Sequence, residues 1–409
     1  MPKIRQRVGK IKKYSIMKKV LLLALIAMCI MFVGCQEESL TPQTDQTKLY
    51  PAMNPNTKKW GFIDNKGNFV IPARYDEASS FSCGYALVSL EDNWTFIDKN
   101  AAIQMTPKFD WADQFYYGYV TFGQDGYYGL MNMKFEITIQ PHFEDLGWRM
   151  SHNGLIPAQR DEDSYYEYVN AQGETVIPAK FDWASVFIDD VAVVGIGNKY
   201  AGYKYGAINK SGEFTIQPTS EYIEMYPMGK GLVLVLDEDE KSGVLDKNGK
   251  MVVPTIYSDM FYEISDDMIL YCTREGKWGY LNYKGEDVLN AEYYEALPFH
   301  EGKAWVKLSE DGKWFVIDKT GKTLFGLGKG EEPYDWNFEF YPITGFHNGL
   351  ALIKTESGYK YVDESGKFIY EWSNDKNKSP EKMQSASTKS IDMIKELHDM
   401  TLHFDSRRL

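Results

Sequence analysis

Three tryptophans share one local setting: Trp111 follows Phe109-Asp110, Trp183 follows Phe181-Asp182 and Trp336 follows Tyr334-Asp335. In other parts of the chain the same position holds a carboxylate, at Glu77, Asp145, Asp259 and Glu295, which marks it as open to solvent. An indole where a carboxylate is otherwise tolerated is a candidate binding platform. Aromatic faces beside carboxylates suit sugar rings, through stacking and hydrogen bonds, and they also suit peptide partners. The competing reading is that each Trp covers a local apolar seam.

Other chemistry has little support. The six histidines are isolated, and neither Gly-x-Ser-x-Gly nor His-Glu-x-x-His occurs, so no catalytic residue, metal ligand or cofactor is assigned. With 58 acidic residues some carboxylate pair will look suggestive. A carbohydrate-active enzyme with an Asp/Glu pair in a cleft between repeats is therefore the alternative function, and it requires a separation that sequence does not give. The cluster Asp237-Glu238-Asp239-Glu240 sits in a hairpin turn and reads as a solvated face.

The elements that would position these residues form a tandem array. A short aromatic strand ending in Asp or Asn begins at Trp60, Trp94, Tyr128, Tyr166, Tyr205, Ser242, Trp278, Trp314 and Tyr359, with spacings from 34 to 45 residues. The fifth residue of every copy is Asp or Asn, from Asp64 to Asp363, and most copies carry Gly three residues later, as at Gly67. Such a residue bonds turn amides through its side chain, and the glycine supplies the left-handed turn conformation. Each repeat reads as a three-stranded meander, illustrated by Gly84 to Pro107, with Pro72 and its counterparts closing the third strand. Three short strands bury too little alone, so neighbouring repeats must supply the core. The fold class is all-β: about nine such repeats forming either a propeller-like ring or a curved open array.

The segments Trp60-Gly61-Phe62-Ile63-Asp64, Val70-Ile71-Pro72 with Tyr75-Asp76, and Phe81 to Val88 resemble the WG-repeat family of bacterial proteins, over about residues 60 to 370. Trp278-Gly279 is a second full match, whereas Ser242 departs most. The resemblance implies an all-β repeat protein, commonly secreted or lipid-anchored, serving interaction more than any one enzymatic activity.

The ends of the chain address it to the envelope. Met17-Lys18-Lys19 and the apolar run Val20 to Val33 read as a signal peptide ending at residue 34, with Met17 an alternative start. Phe32-Val33-Gly34-Cys35 resembles a bacterial lipobox, which makes Cys35 the expected lipidation site and the membrane a partner through that anchor. Losing residues 1–34 removes eight Lys and Arg and no acids, taking the net charge from -13 to -21 and disfavouring nucleic acid. Residues 35–59 read as a flexible tether, 60–372 as the repeat domain, and 373–409 as a linker with a short C-terminal helix from about Pro380. Cys83 and Cys272 lack metal-ligand spacing and read as small buried hydrophobes. The expectation is an outer-membrane lipoprotein, surface-exposed or periplasm-facing, that binds or scaffolds a protein or glycan. A structural spacer is a third reading.

Overall fold

The computed structural model describes residues 48–373, except 92, 106–108, 148, 199–201 and 335–344. Contacts divide the chain into two units, Met1–Thr44 and Asp45–Leu409, and every described residue belongs to the second. The signal peptide, Cys35 and the expected C-terminal helix lie outside the described residues. Among those described, the protein is all β: nine small antiparallel sheets stand as the blades of a propeller-like ring, numbered in chain order as blades 1 (50–75), 2 (77–105), 3 (111–143), 4 (145–181), 5 (183–219), 6 (224–257), 7 (259–293), 8 (295–326) and 9 (332–373).

Blade 2 is representative, with Glu77–Ala78, Tyr85–Leu90, Asn93–Asp98 and Ile103–Met105 lying side by side in chain order. The last three strands are the meander read from sequence, and a two-residue strand precedes them. A single residue such as Asp76, Asp182 or Ser258 joins the fourth strand of one blade to the first strand of the next. Each sequence repeat therefore straddles two blades, and the chain itself ties neighbours together. The expected tether needs correcting, because Tyr50–Met53 is already a fully buried strand of blade 1, in a sheet with Trp60–Ile63 and Phe69–Tyr75.

All nine Asp or Asn positions behave as turn caps. Asp64 Oδ1 accepts the amides of Lys66 and Asn68 at 2.8 and 2.9 Å, and Asp363 Oδ1 those of Ser365 and Lys367 at 2.9 and 3.0 Å. The choice of cap follows the residue four positions on. Asn132, Asn170, Asn209 and Asn282 donate from Nδ2 to Glu136, Glu174, Glu213 and Glu286, whereas the Asp caps meet no acid there. A carboxylate cap facing Glu would add like-charge repulsion, and the amide avoids it. The turn glycine has φ of 85° at Gly67 and packs on the fourth strand of the preceding blade: Gly212 on Ile177, Gly321 on Leu289.

The prolines do not close the strand as the sequence suggested. Pro72 lies inside Phe69–Tyr75 and Pro141 inside Ile137–Phe143, at the register shift of each fourth strand. That strand is an open edge, where a missing N–H costs no ladder bond, and a bulged, proline-bearing edge resists pairing with other chains. The bulge also accounts for the glycine of the WG pair. A Cβ on Gly61, Gly129 or Gly279 would stand 2.5 to 2.8 Å from the carbonyl oxygen of Ile71, Ile139 or Leu289. In blade 8 the glycine has changed strands: Phe315 fills that place and faces Gly326.

The core is a series of seams between blades. Val193 and Ala207 of blade 5 pack with Met225 and Val235 of blade 6, all fully or almost fully buried. Burying one such side chain contributes roughly 1.5–3 kcal/mol for the larger ones, so the seams supply the core that single repeats lack. Turn carboxylates add staples between blades: Asp189 accepts the Lys230 amide at 2.6 Å, and Glu301 those of Asn348 and Gly349 at 2.6 and 2.8 Å.

The ring closes where blade 9 meets blade 1. Trp60 packs edge-on to Trp372 at 5.8 Å, Phe69 to Tyr370 at 5.5 Å, and Gly67 contacts Ile369 as its counterparts contact their own neighbours. Among the described residues blade 1 has no first strand. In blade 2 the carbonyls of Leu87 and Ser89 accept amides from Ser79 and Asp76 at that edge. Their counterparts in blade 1, Pro51 O and Met53 O, accept the hydroxyls of Tyr361 and Tyr370 at 2.9 and 3.2 Å. Pro51 has no N–H to satisfy, so phenols seal the edge that a strand seals elsewhere.

Candidate functional site

In blades 2 to 9 the residue that opens the first strand lies in register with one residue of the second strand and, through it, with one of the third, so that three residues form a row. In blade 3 they are Trp111, Gly123 and Tyr128, and in blade 5 Trp183, Gly195 and Tyr205. Residues in register on adjacent strands share a face of the sheet. With glycine in the middle, the outer two side chains meet across it. Trp111 and Tyr128 pack edge to face at 5.5 Å, and Trp183 and Tyr205 at 5.8 Å. A Cβ on Gly123 would stand 2.1 Å from Trp111 Nε1, so that indole lies directly over bare backbone. Other blades fill the middle position. Lys307 sits between Glu295 and Trp314, and Lys354 between Glu332 and Tyr359, with ion pairs of 3.7 and 2.9 Å to the two glutamates.

Blade 4 stands between the two tryptophan blades and offers Asp145 and Tyr166, whose hydroxyl donates to the Asp145 carboxylate. Burial, then the charge of Asp145, then the hydrogen bond to it push the Tyr166 phenol far above its ordinary value, and Tyr203 and Tyr128 lie close enough to add to the effect. Tyr203 in turn packs on Tyr205 at 5.9 Å. Burial, with Glu224 and Tyr203 nearby, pushes Tyr205 up to about 12. In blade 6 the Tyr226 hydroxyl donates to Glu224 at 2.8 Å. Asp145 is itself raised, by burial first, against the opposing bonds from Tyr166 and the Leu146 amide. The result is a band across blades 3 to 6 in which half-buried rings alternate with carboxylates. Each of its phenols can both donate and accept hydrogen bonds. A cation borders it: the Arg160 guanidinium stands 5.0 Å over the Phe143 ring, with Nε 2.6 Å from Glu167.

The structure thus places Trp111 and Trp183 at equivalent points of one band, two blades apart. Trp183 is also packed against the seam of blades 5 and 6, so platform and seam cover are two sides of one residue. Trp336 lies outside the described residues. The Asp that precedes each Trp serves the fold: Asp110 Oδ2 accepts the Asp125 amide and Asp182 Oδ2 the Gly197 amide, both at 2.8 Å, as Asp76 does with Glu91 at 3.0 Å. Sequence reading missed the tyrosines of the band and Glu224. A signal was present, because Gly123 and Gly195 stand twelve residues after the two tryptophans where other copies carry a side chain.

Cys83 and Cys272 are not joined by a disulfide and sit in different blades; Cys272 is buried, but Cys83 is half-buried in a turn, with φ of 49°. The acidic run is a turn capped by Asp237, whose Oδ1 accepts the amides of Asp239 and Lys241, while Glu238, Asp239 and Glu240 are exposed.

Comparison with known proteins follows the same architecture. The WG containing repeat profile matches residues 60–94, 94–128, 128–162, 168–200, 205–239, 243–278 and 278–314, more than half of the chain. The chain belongs to the WG-repeat family. The copies at Trp314 and Tyr359 follow the matched range, and both form blades. No curated protein sequence matches it. Among solved structures, a eukaryotic initiation factor is similar at 10% identity and a TM-score of 0.58, over 81% of this chain and 96% of that one. At that identity the likeness is one of fold alone. Apo AztD from Citrobacter koseri (13% identity, TM-score 0.38, 69% and 92% covered) and the C-terminal WD40 domain of Sif2 (11%, 0.35, 66% and 85%) are too distant to carry an argument.

Proposed function

We propose that this WG-repeat ring is the binding module of a cell-envelope lipoprotein, anchored through Cys35 to the outer membrane and presenting the band of blades 3 to 6 to a glycan or protein ligand. The observation that carries the reading is the pairing of Trp111 with Tyr128 and Trp183 with Tyr205 over glycines, on either side of Asp145 and Tyr166. Edge-to-face packing fixes each indole against a neighbour, so little side-chain entropy is lost when a ligand arrives. Asp145 and Glu224 each accept a tyrosine hydroxyl, which holds them as oriented acceptors. The lipobox and the acidic residues Glu37-Glu38 after Cys35 support the address.

Two measurements test this. Metabolic labelling with a fatty acid and fractionation should follow the wild type into membranes and leave Cys35→Ala unlabelled and soluble; equal partitioning of both would remove the anchor. Saturable binding of the purified chain to isolated envelopes should weaken in Trp111→Ala combined with Trp183→Ala, and unchanged binding by a folded double variant would remove the band as the ligand face.

A further inference from the structure

We infer that the ligand of this face is a linear, neutral glycan, and that Gly123 and Gly195 are the residues that create its two sugar platforms. The inference rests on the binding reading above. The ring rows of the different blades make the comparison that decides it. Where the middle position is Lys307 or Lys354, the row is occupied by its own ion pair; at Gly123 the Trp111 indole is laid over bare backbone beside Tyr128, and at Gly195 the Tyr203 ring covers the backbone beside the Trp183–Tyr205 pair. Two such platforms with a hydrogen-bonded Asp145 and Tyr166 between them match a polymer that alternates flat apolar ring faces with hydroxyls.

Charge and topology exclude the main competitors. Asp145 and Glu224 lie within the band, and its bordering cation Arg160 is already held by Glu167, so a polyanion meets uncompensated like charge. An extended peptide would bind most readily by adding a strand to an open sheet edge. The band is made of residues of the first three strands of each blade, and the open edges of blades 3 to 6 are their bulged, proline-bearing fourth strands. Because the platforms belong to blades 3 and 5, one ligand must span a full blade to touch both, which favours oligosaccharides of several units over mono- or disaccharides.

The test is isothermal titration of the detergent-solubilised full chain with cellohexaose, xylohexaose, chitohexaose and hexagalacturonate, with the disaccharide of each neutral series as a length control. The expected result is saturable binding of at least one neutral hexasaccharide, tighter than its disaccharide. Trp111→Ala and Trp183→Ala should each weaken it by ~10-fold, in the range of aromatic anchors. Gly195→Lys should copy that loss by closing the platform. Should this variant fold poorly, Tyr166→Phe, which keeps the ring and removes the hydroxyl aimed at Asp145, should weaken binding several-fold. The inference is overturned if no neutral hexasaccharide binds, if hexagalacturonate binds as tightly, or if the tryptophan variants bind like wild type. If neutral glycans fail while the tryptophan double variant still loses envelope binding, the band remains the binding face and the ligand class alone falls.

Discussion

Removing a single hydroxyl at the ring's closing seam, by Tyr361→Phe, separates a closed ring from an open array. The Tyr361 hydroxyl is buried and donates to Pro51 O at 2.9 Å, joining blade 9 to blade 1 across a junction that no described backbone crosses. Two tyrosines at the equivalent position make the same bond across junctions that the chain does cross: Tyr168 to Ser185 O and Tyr280 to Leu297 O, both at 2.8 Å. A buried hydrogen bond of this kind is worth about 1 kcal/mol net, and an orphaned carbonyl raises the cost toward 2 kcal/mol. For a folded unit of roughly 300 residues the entropy of unfolding converts 1 kcal/mol into about 1.5 °C. Tyr361→Phe, Tyr168→Phe and Tyr280→Phe should therefore all lower Tm by about 1.5–3 °C in calorimetry, with a matching fall in the urea midpoint. If Tyr168→Phe and Tyr280→Phe behave so while Tyr361→Phe equals wild type, the Tyr361 phenol faces water and the ring is not closed.

Other expectations follow from the same geometry. Trp372→Ala, which empties a nearly fully buried site against Trp60, Tyr359 and Tyr361, should cost ~3–5 kcal/mol in urea unfolding. Gly279→Ala would force a Cβ to within 2.8 Å of Leu289 O and Ala291 N and should cost about 1–3 kcal/mol, whereas a neutral result in thermal melts would undo the account of the WG glycine. Burial, opposed by the Gln114 amide, raises the Asp113 carboxyl to about 6. The folded chain thus holds that proton more tightly than the unfolded chain, and stability falls as pH rises from about 4 to 6. Asp113→Asn should then be more stable than wild type above pH 6, by at most about 3 kcal/mol, with the difference vanishing near pH 4 in melts across that range. The carboxyl of Asp318, held low by the Thr320 hydroxyl and the amides of Thr320 and Lys322 against some burial, works in the opposite sense: its cap strengthens above the ordinary carboxylate range and is lost in acid. Asp318→Asn, facing Lys322, should flatten that acid limb.

Much of the fold could be read from the sequence because its rules are local. The Asp64-type cap and the glycine three residues later act within one turn, so nine copies announced nine blades. Pro72 was misplaced because an edge strand tolerates proline in its interior, a fact that depends on what lies beside the strand. The strand Tyr50–Met53 was missed because it carries no repeat signature; its partner, Trp60–Ile63, and the blade 9 phenols give it its place. Ring closure depends on residues about 300 apart, and no period encodes that. For the site, the position shared by Trp111, Trp183 and the acids was visible, but its link to Tyr166 and Tyr203 arises only when neighbouring blades turn the same face. Gly123 and Gly195 were legible in principle, since a tryptophan paired with glycine twelve residues on is a register statement.

The central claim, that blades 3 to 6 form one ligand face, is tested most directly by envelope-binding isotherms of Trp111→Ala, Trp183→Ala, their combination and Trp278→Ala, each verified as folded. Trp278 opens the third strand of blade 7, where Cys272 occupies the middle of the row, and it serves as the control. The expected result is a loss of ~10-fold for each of the first two, a larger loss for the pair, and wild-type binding for Trp278→Ala. Equal losses at all three tryptophans, or none at Trp111 and Trp183, would contradict it.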